Sequence, residues 1–162
     1  MSTFQNLARL VIEPLAQRVD GVLSRSLAGI RRQNDDLLIL QGRALAGQNA
    51  LRAPFASLHE AEFKVFSQFG EDGILQYLAG ETGIGRAEQL FVEFGVQDYA
   101  ESNTRFLLMN NHWKGLIIDG SKEYMDVVRG QDLYWRHDIT AVDAWIDRDN
   151  INQLIGDAGF SG

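Results

Sequence analysis

Leu90-Phe-Val-Glu-Phe-Gly95 and, twenty residues further on, Gly115-Leu-Ile-Ile-Asp119-Gly120 decide how this chain folds. Each is a short apolar run closed by an acid or a glycine. Runs of four to eight apolar residues between turn signals fit strands buried on both faces, as in parallel sheets. Between them, Ser102-Asn-Thr104 offers helix-capping residues, so a helix is expected to about Asn111. After the second run Ser121 can cap a further helix, Glu123 suits its first turn and Gly130 follows its end.

The pattern extends in both directions. Upstream, a loop from Ser67 feeds a short helix expected over Asp72–Ala79, and Gly80, Gly83 and Gly85 mark a turn-rich connector. Downstream, Leu133-Tyr-Trp-Arg-His-Asp-Ile139 alternates and reads as a third strand, with Asp149 or Asn150 opening a last helix through Ile155. Strand–helix alternation of this kind gives an α/β fold, the N-terminal part of a doubly wound Rossmann-like sheet. A fourth strand is expected beyond Gly162, and a three-stranded half is expected to be poorly stable alone.

Residues 1–60 have a different character and are expected to form a helical N-terminal arm, with residues 61–162 as the partial sheet domain. Leu15, Val19, Leu23, Leu27, Ile30 and Leu37 form one apolar stripe, while Arg18, Arg25 and Arg32 recur on another face. Asn34-Asp-Asp36 and Gly42 argue against a single unbroken helix, and Pro54 marks a boundary. The arm is expected to pack on its own domain or to mediate homo-oligomerisation.

Charge and composition narrow the partners. Net charge is −7, with +2 over residues 1–60 and −9 over the remainder. An acidic sheet domain disfavours nucleic acid, because phosphate binding needs a basic face. The absence of cysteine excludes disulfides and thiolate chemistry. No apolar run approaches the roughly 20 residues of a transmembrane helix, and Met1-Ser-Thr-Phe-Gln5 lacks the features of a signal peptide, so a cytoplasmic location is expected. His59, His112 and His137 have no metal-ligand spacing, and His137 is expected to pack inside the sheet. Trp113, Trp135 and Trp145 are expected in the core.

Ligands of such sheets sit beyond the carboxyl ends of the strands. There the sequence supplies Glu93, Gly95, Gln97 and Asp98 after the first strand, Asp119 after the second and Asp138 after the expected third. Gly95 permits a tight turn. Asp119, 26 residues beyond Glu93, stands about where an acid gripping a ribose diol belongs. Asp138 would accept from an exocyclic amine. Each acid taken alone is more often a turn or cap residue; it is the three after successive strands that bring a ligand site level with that reading.

Four blocks, Phe66-Ser-Gln-Phe-Gly-Glu-Asp-Gly-Ile-Leu75, Phe91-Val-Glu-Phe-Gly-Val-Gln-Asp98, Ser102-Asn-Thr-Arg-Phe-Leu-Leu108 and Trp113-Lys-Gly-Leu-Ile-Ile-Asp-Gly120, resemble the FkbM-like methyltransferases. The resemblance spans residues 62–162. It implies an S-adenosyl-L-methionine cofactor, methyl transfer to an oxygen of a small or sugar-like acceptor, and cofactor contacts from Glu93, Gly95 and Asp119, with Gln68, Glu71 and Asp72 lining the cofactor side. The catalytic base is not assigned. One departure stands out: Gln97 and Tyr99 occupy positions where such loops commonly carry further glycines. Two alternatives remain open, a non-catalytic assembly protein on a degenerate scaffold and, third, a nucleotide-sugar enzyme on a similar sheet.

Overall fold

The computed structural model describes residues 12–160. The first eleven residues of the expected arm lie outside that range. The chain divides into two compact units, between Leu38 and Ile39.

One helix, α1 (Glu13–Arg52), runs without interruption for 40 residues and contributes to both units. The expected break at Asn34-Asp-Asp36 and Gly42 does not occur. Asn and Asp each cost a helix interior only a few tenths of a kcal/mol, and glycine about 1 kcal/mol. Gly42 recovers its cost through packing: a Cβ there would come within 2.6 Å of both Phe106 and Val65. Ile39, Gly42 and Asn49 are buried, and Asn49 Nδ2 donates to the Ala61 carbonyl at 2.7 Å. Pro14 falls in the first turn, where its missing N–H is harmless. Between Ile12 and Leu38 no residue is buried.

The second unit is an α/β domain. After α2 (Glu71–Thr82) come β1 (Leu90–Phe94), α3 (Arg105–Asn111), β2 (Lys114–Asp119), α4 (Lys122–Arg129), α5 (Asp132–Arg136), β3 (Ile139–Asp143) and α6 (Ile151–Asp157). The strands form one parallel sheet in the order β1-β2-β3, with Phe94 opposite Ile118 and Asp119 opposite Asp143. The alternation of strand side chains splits the core into two layers. Phe91 and Ile117 face a layer with Leu107, Leu108, Met125, Val128 and Leu133. Leu116 and Ile118 face the other side, with Phe160, Leu154 and Ile155. Helices therefore cover both faces, as continuous apolar parallel strands require.

The third strand is displaced from its expected place. Leu133–Ile139 begins as the helix α5, and only Ile139 belongs to β3. Spacings of two and of four are both met by Leu133 and His137, so the alternation did not separate strand from helical turn. Trp135 is the discriminating residue: it is 74% exposed, whereas a strand would have buried it with Leu133. Trp145 is likewise exposed, and of the three tryptophans only Trp113 is in the core. No helix among the described residues is long and apolar enough to cross a membrane.

Candidate functional site

A polar cleft of about 360 Å³ lies at the carboxyl end of β1; Asp119, at the end of β2, is not among the residues lining it. Gln68, Glu93, Gly95, Gln97 and Asp98 line it, with Glu101, Ser102 and Asn103 from the segment leading to α3. The loop after β1 is tightly coiled. Gly95, Gln97 and Tyr99 all have left-handed backbone conformations, with φ of 69°, 51° and 60°. Gln97 and Tyr99, the two residues standing where further glycines are common, therefore adopt a conformation that glycine takes without cost. For a residue with a Cβ it costs roughly 1–2 kcal/mol.

Specific bonds hold this loop. Gly95 N–H donates to the Ile118 carbonyl at 2.9 Å, extending the β1–β2 ladder past Phe94. Gln97 N–H donates to Asp119 Oδ2 at 2.9 Å. Tyr99 N–H donates to the Val96 carbonyl, and the Tyr99 side chain is wholly buried. Burial pushes the Tyr99 phenol above its usual pKa range, so it remains a hydroxyl. Asp119 Oδ1 accepts from Ser121 N–H at 2.8 Å. Asp119 thus ties the loop after β1 to the turn after β2. Each of its oxygens keeps a second acceptor direction.

Glu93 is the hub of the cleft. Its Oε2 accepts from Ser102 Oγ and Thr104 Oγ1, both at 2.5 Å, and from Thr104 N–H at 3.1 Å, while Oε1 accepts from Asn103 N–H at 3.0 Å. Because the Thr104 hydroxyl hydrogen goes to Glu93, Tyr99 Oη must donate to Thr104 Oγ1, at 2.9 Å. A strand carboxylate thereby caps the start of α3, whose N-cap residue Thr104 makes no side-chain cap of its own.

The other sequence-derived site residues divide. Gln68 lines the cleft. Asp98 lines it too, its Oδ1 accepting from Ala100 N–H in a local turn. Asp72 does not reach it. The Asp72 side chain is 1% exposed, and its Oδ2 accepts from the amides of Val65, Phe66 and Ser67 and from Ser67 Oγ at 2.7–2.8 Å. That carboxylate shapes the loop before α2 instead of facing a ligand. Glu71 is also local: its own amide and that of Phe69 hold its carboxyl below the usual range.

Asp138 is the clearest correction. With β3 beginning at Ile139, Asp138 stands at the amino end of the sheet, its carbonyl accepting from Gly115 N–H at 2.9 Å. The acid at the carboxyl end of β3 is Asp143, which is committed to Arg129 at 2.6 Å; that guanidinium holds its carboxyl below the usual range. Trp145, expected in the core, instead lies with its ring over Gly120 beside Asp119; a Cβ on Gly120 would come within 2.7 Å of the indole. Among the described residues, no cluster of His, Asp and Glu could hold a metal ion.

At the amino edge, His137 stacks on His112 with ring centroids 5.9 Å apart. It is half-buried rather than enclosed in the sheet. Burial first, and the neighbouring His112 second, lower the His137 pKa. The unfolded chain therefore takes up this proton near pH 6.5 while the folded chain does not until lower pH. The stabilisation from neutral His137 is full above about pH 7 and is lost as pH falls through about 6.5 towards the folded value. Urea unfolding at pH 7.5 and 5.5 should show a smaller loss on acidification in His137→Gln than in the parent chain. An equal loss in both would contradict this.

Comparison with protein-family models, with curated proteins and with solved structures returns no match for this chain.

Proposed function

We propose that this domain binds S-adenosyl-L-methionine in the cleft at the carboxyl end of β1, for methyl transfer to an oxygen of a small or sugar-like acceptor. The supporting observation is the Gln97–Asp119 bond, which brings the glycine turn after one parallel strand against the acid ending the next. Together with the order β1-β2-β3, it supports reading the sheet as the first half of a Rossmann-like methyltransferase fold. The four blocks resembling FkbM-like methyltransferases fall on this same edge and its approaches.

The residues present suit the cofactor. A cleft of about 360 Å³ lies within the range of small-molecule sites. Its lining carries Glu93, Asp98 and Glu101 and no Lys or Arg, which favours a cation and disfavours a phosphate. Gly95 would allow close backbone approach, Gln68 and Asp98 would close the cleft, and Asp119, which lies outside the lining and is bonded to its Gln97, would accept from ribose hydroxyls that extend past the loop. Bound there, the cofactor supplies an activated methyl group; the protein's task is alignment and exclusion of water. Glu93, already accepting four hydrogen bonds, orients the loop and is not the proton acceptor.

One observation favours a second reading, a non-catalytic scaffold. Both Glu93 and Asp119 are engaged by the chain's own donors, as they would be if the acids merely closed the loops. Titration calorimetry with S-adenosylmethionine and its demethylated product separates the two. Binding is expected, and Asp119→Ala is expected to weaken it at least tenfold, since a hydrogen bond to a charged group contributes about 1.5–3 kcal/mol. Absence of binding by the parent chain would overturn the methyltransferase reading.

A further inference from the structure

The first unit presents an apolar face that its described residues leave bare. Ile12, Leu15, Val19, Val22, Leu23, Leu27, Ile30 and Leu37 are each 47–66% exposed. From Leu15 onward the seam runs Leu15, Val19, Leu23, Leu27, Ile30, Asn34, Leu37, in steps of four or three, close to the 3.6 residues of a helical turn. It therefore stays on one side of a straight helix, and α1 is continuous through it. Val19, Val22, Leu23 and Ser26 also frame a shallow groove on this face, edged by Arg18.

We infer that this face of α1 pairs with the same face of a second copy of the chain, parallel and in register. Three observations select that occupant. The first is area. An aliphatic side chain carries on the order of 100 Å² of apolar surface. Eight such residues, about half exposed, therefore offer on the order of 500 Å² per copy. A stable interface takes about 800 Å² per partner, of which roughly 56–65% is apolar, so the seam supplies the apolar share.

The second is charge. Between Ile12 and Leu38, four arginines (Arg18, Arg25, Arg31, Arg32) face four acids (Glu13, Asp20, Asp35, Asp36), a net of zero. Arg18, Arg25 and Arg32 recur every seven residues; Arg18 stands at the edge of the seam, and Arg25 and Arg32 fall on the side away from it. Two copies can meet there without like charges opposed. A neutral stretch without lysine or aromatic residues has neither the basic face nor the ring anchors of a helix that lies on an anionic membrane.

The third is Asn34, a polar residue within the seam. In a parallel, in-register pair it meets Asn34 of the other copy, and the two amides can bond to each other. In an antiparallel pair overlapping over the same residues it would face Leu15, leaving a polar group against an apolar one. The average step from Leu15 to Leu37 is closer to 3.67 than to 3.5 residues. The two helices are thus expected to run nearly straight, without the left-handed supercoil of a heptad repeat.

Light scattering on the eluting full chain is expected to give twice the mass of one chain at about 100 µM, and the Leu23→Glu/Leu27→Glu variant that of one. Circular dichroism distinguishes a dissociated variant from an unfolded one, because the second unit's melting is expected to be unchanged. Since the chain has no cysteine, Ser26→Cys gives a clean second probe. Mild oxidation is expected to cross-link copies through residue 26, which a parallel in-register pair places side by side. The inference is overturned by a parent chain that elutes at the mass of one copy. A mass insensitive to the Leu23/Leu27 substitutions, a Ser26→Cys chain that does not cross-link, or a single-copy chain that pellets with neutral phosphatidylcholine vesicles would overturn it equally.

Discussion

Replacing Asp72 with alanine should lower stability by about 4 kcal/mol and the midpoint of thermal unfolding by roughly 15 °C. The carboxylate oxygen Oδ2 receives three consecutive backbone amides, Val65, Phe66 and Ser67, together with the Ser67 hydroxyl. All of this is buried, so after truncation no water replaces the lost acceptor. An unsatisfied buried donor costs about 1–3 kcal/mol, and more where the lost partner was charged. Against a total stability of about 5–15 kcal/mol the loss is large. The damage would spread, because the Phe66 carbonyl accepts from Ser102 N–H at the edge of the cleft and the Phe66 ring lies under the Arg105 guanidinium. Asp72→Asn keeps one acceptor oxygen and should lose about half as much. Thermal unfolding followed by circular dichroism measures both; a midpoint within about 3 °C of the parent in Asp72→Ala would refute the assignment.

Glu93→Ala should cost about 3 kcal/mol and also open the cleft. Four donors converge on this carboxylate, two of them the leading amides of the segment entering α3. Loss of a helix cap costs about 0.5–2 kcal/mol, and the two orphaned hydroxyls add to that. Thr104 would lose the acceptor that fixes its hydroxyl, and with it the orientation that receives the Tyr99 phenol. The left-handed conformations of Gln97 and Tyr99 would then be less well held. Amide hydrogen exchange at Asn103 and Thr104 should speed up while exchange in β2 and α4 changes only with global stability. Glu93→Gln should restore part of the loss, since its carbonyl oxygen can still accept. Unchanged exchange at those two amides in Glu93→Ala would contradict the capping role.

These two carboxylates show where a reading of the chain in one dimension stops. Glu93 reads as a ligand-side acid by its place at the end of a strand, and Asp72 through what the family resemblance implies. Glu93 does stand at the cleft, and Asp72 is turned away from it. Nothing within a few residues of Asp72 distinguishes a cofactor contact from a loop anchor, because the acceptor is the same and only the direction of the side chain differs. Asp138 failed for another reason. Its position depended on where β3 begins, and a seven-residue window with apolar residues at alternate places fits two turns of local structure equally well.

What the sequence by itself determined is the part governed by local rules. The near-continuous apolar runs of β1 and β2, the cap at Ser121, the helix start at Asn150, the glycine ending α4, and the Gly95 turn all act within about four residues of themselves, and all are found in place, although the Asn150 side chain makes no cap bond. Tertiary structure alone decided the rest. Gly42 does not break α1 because Phe106 and Val65, more than twenty residues away, close over it. Gln97 and Tyr99 take glycine-like conformations because Asp119 and Thr104 hold them there. The Gln97–Asp119 bond links residues that the chain separates and the register of the sheet brings together, so its geometry is fixed only when β1 and β2 pair.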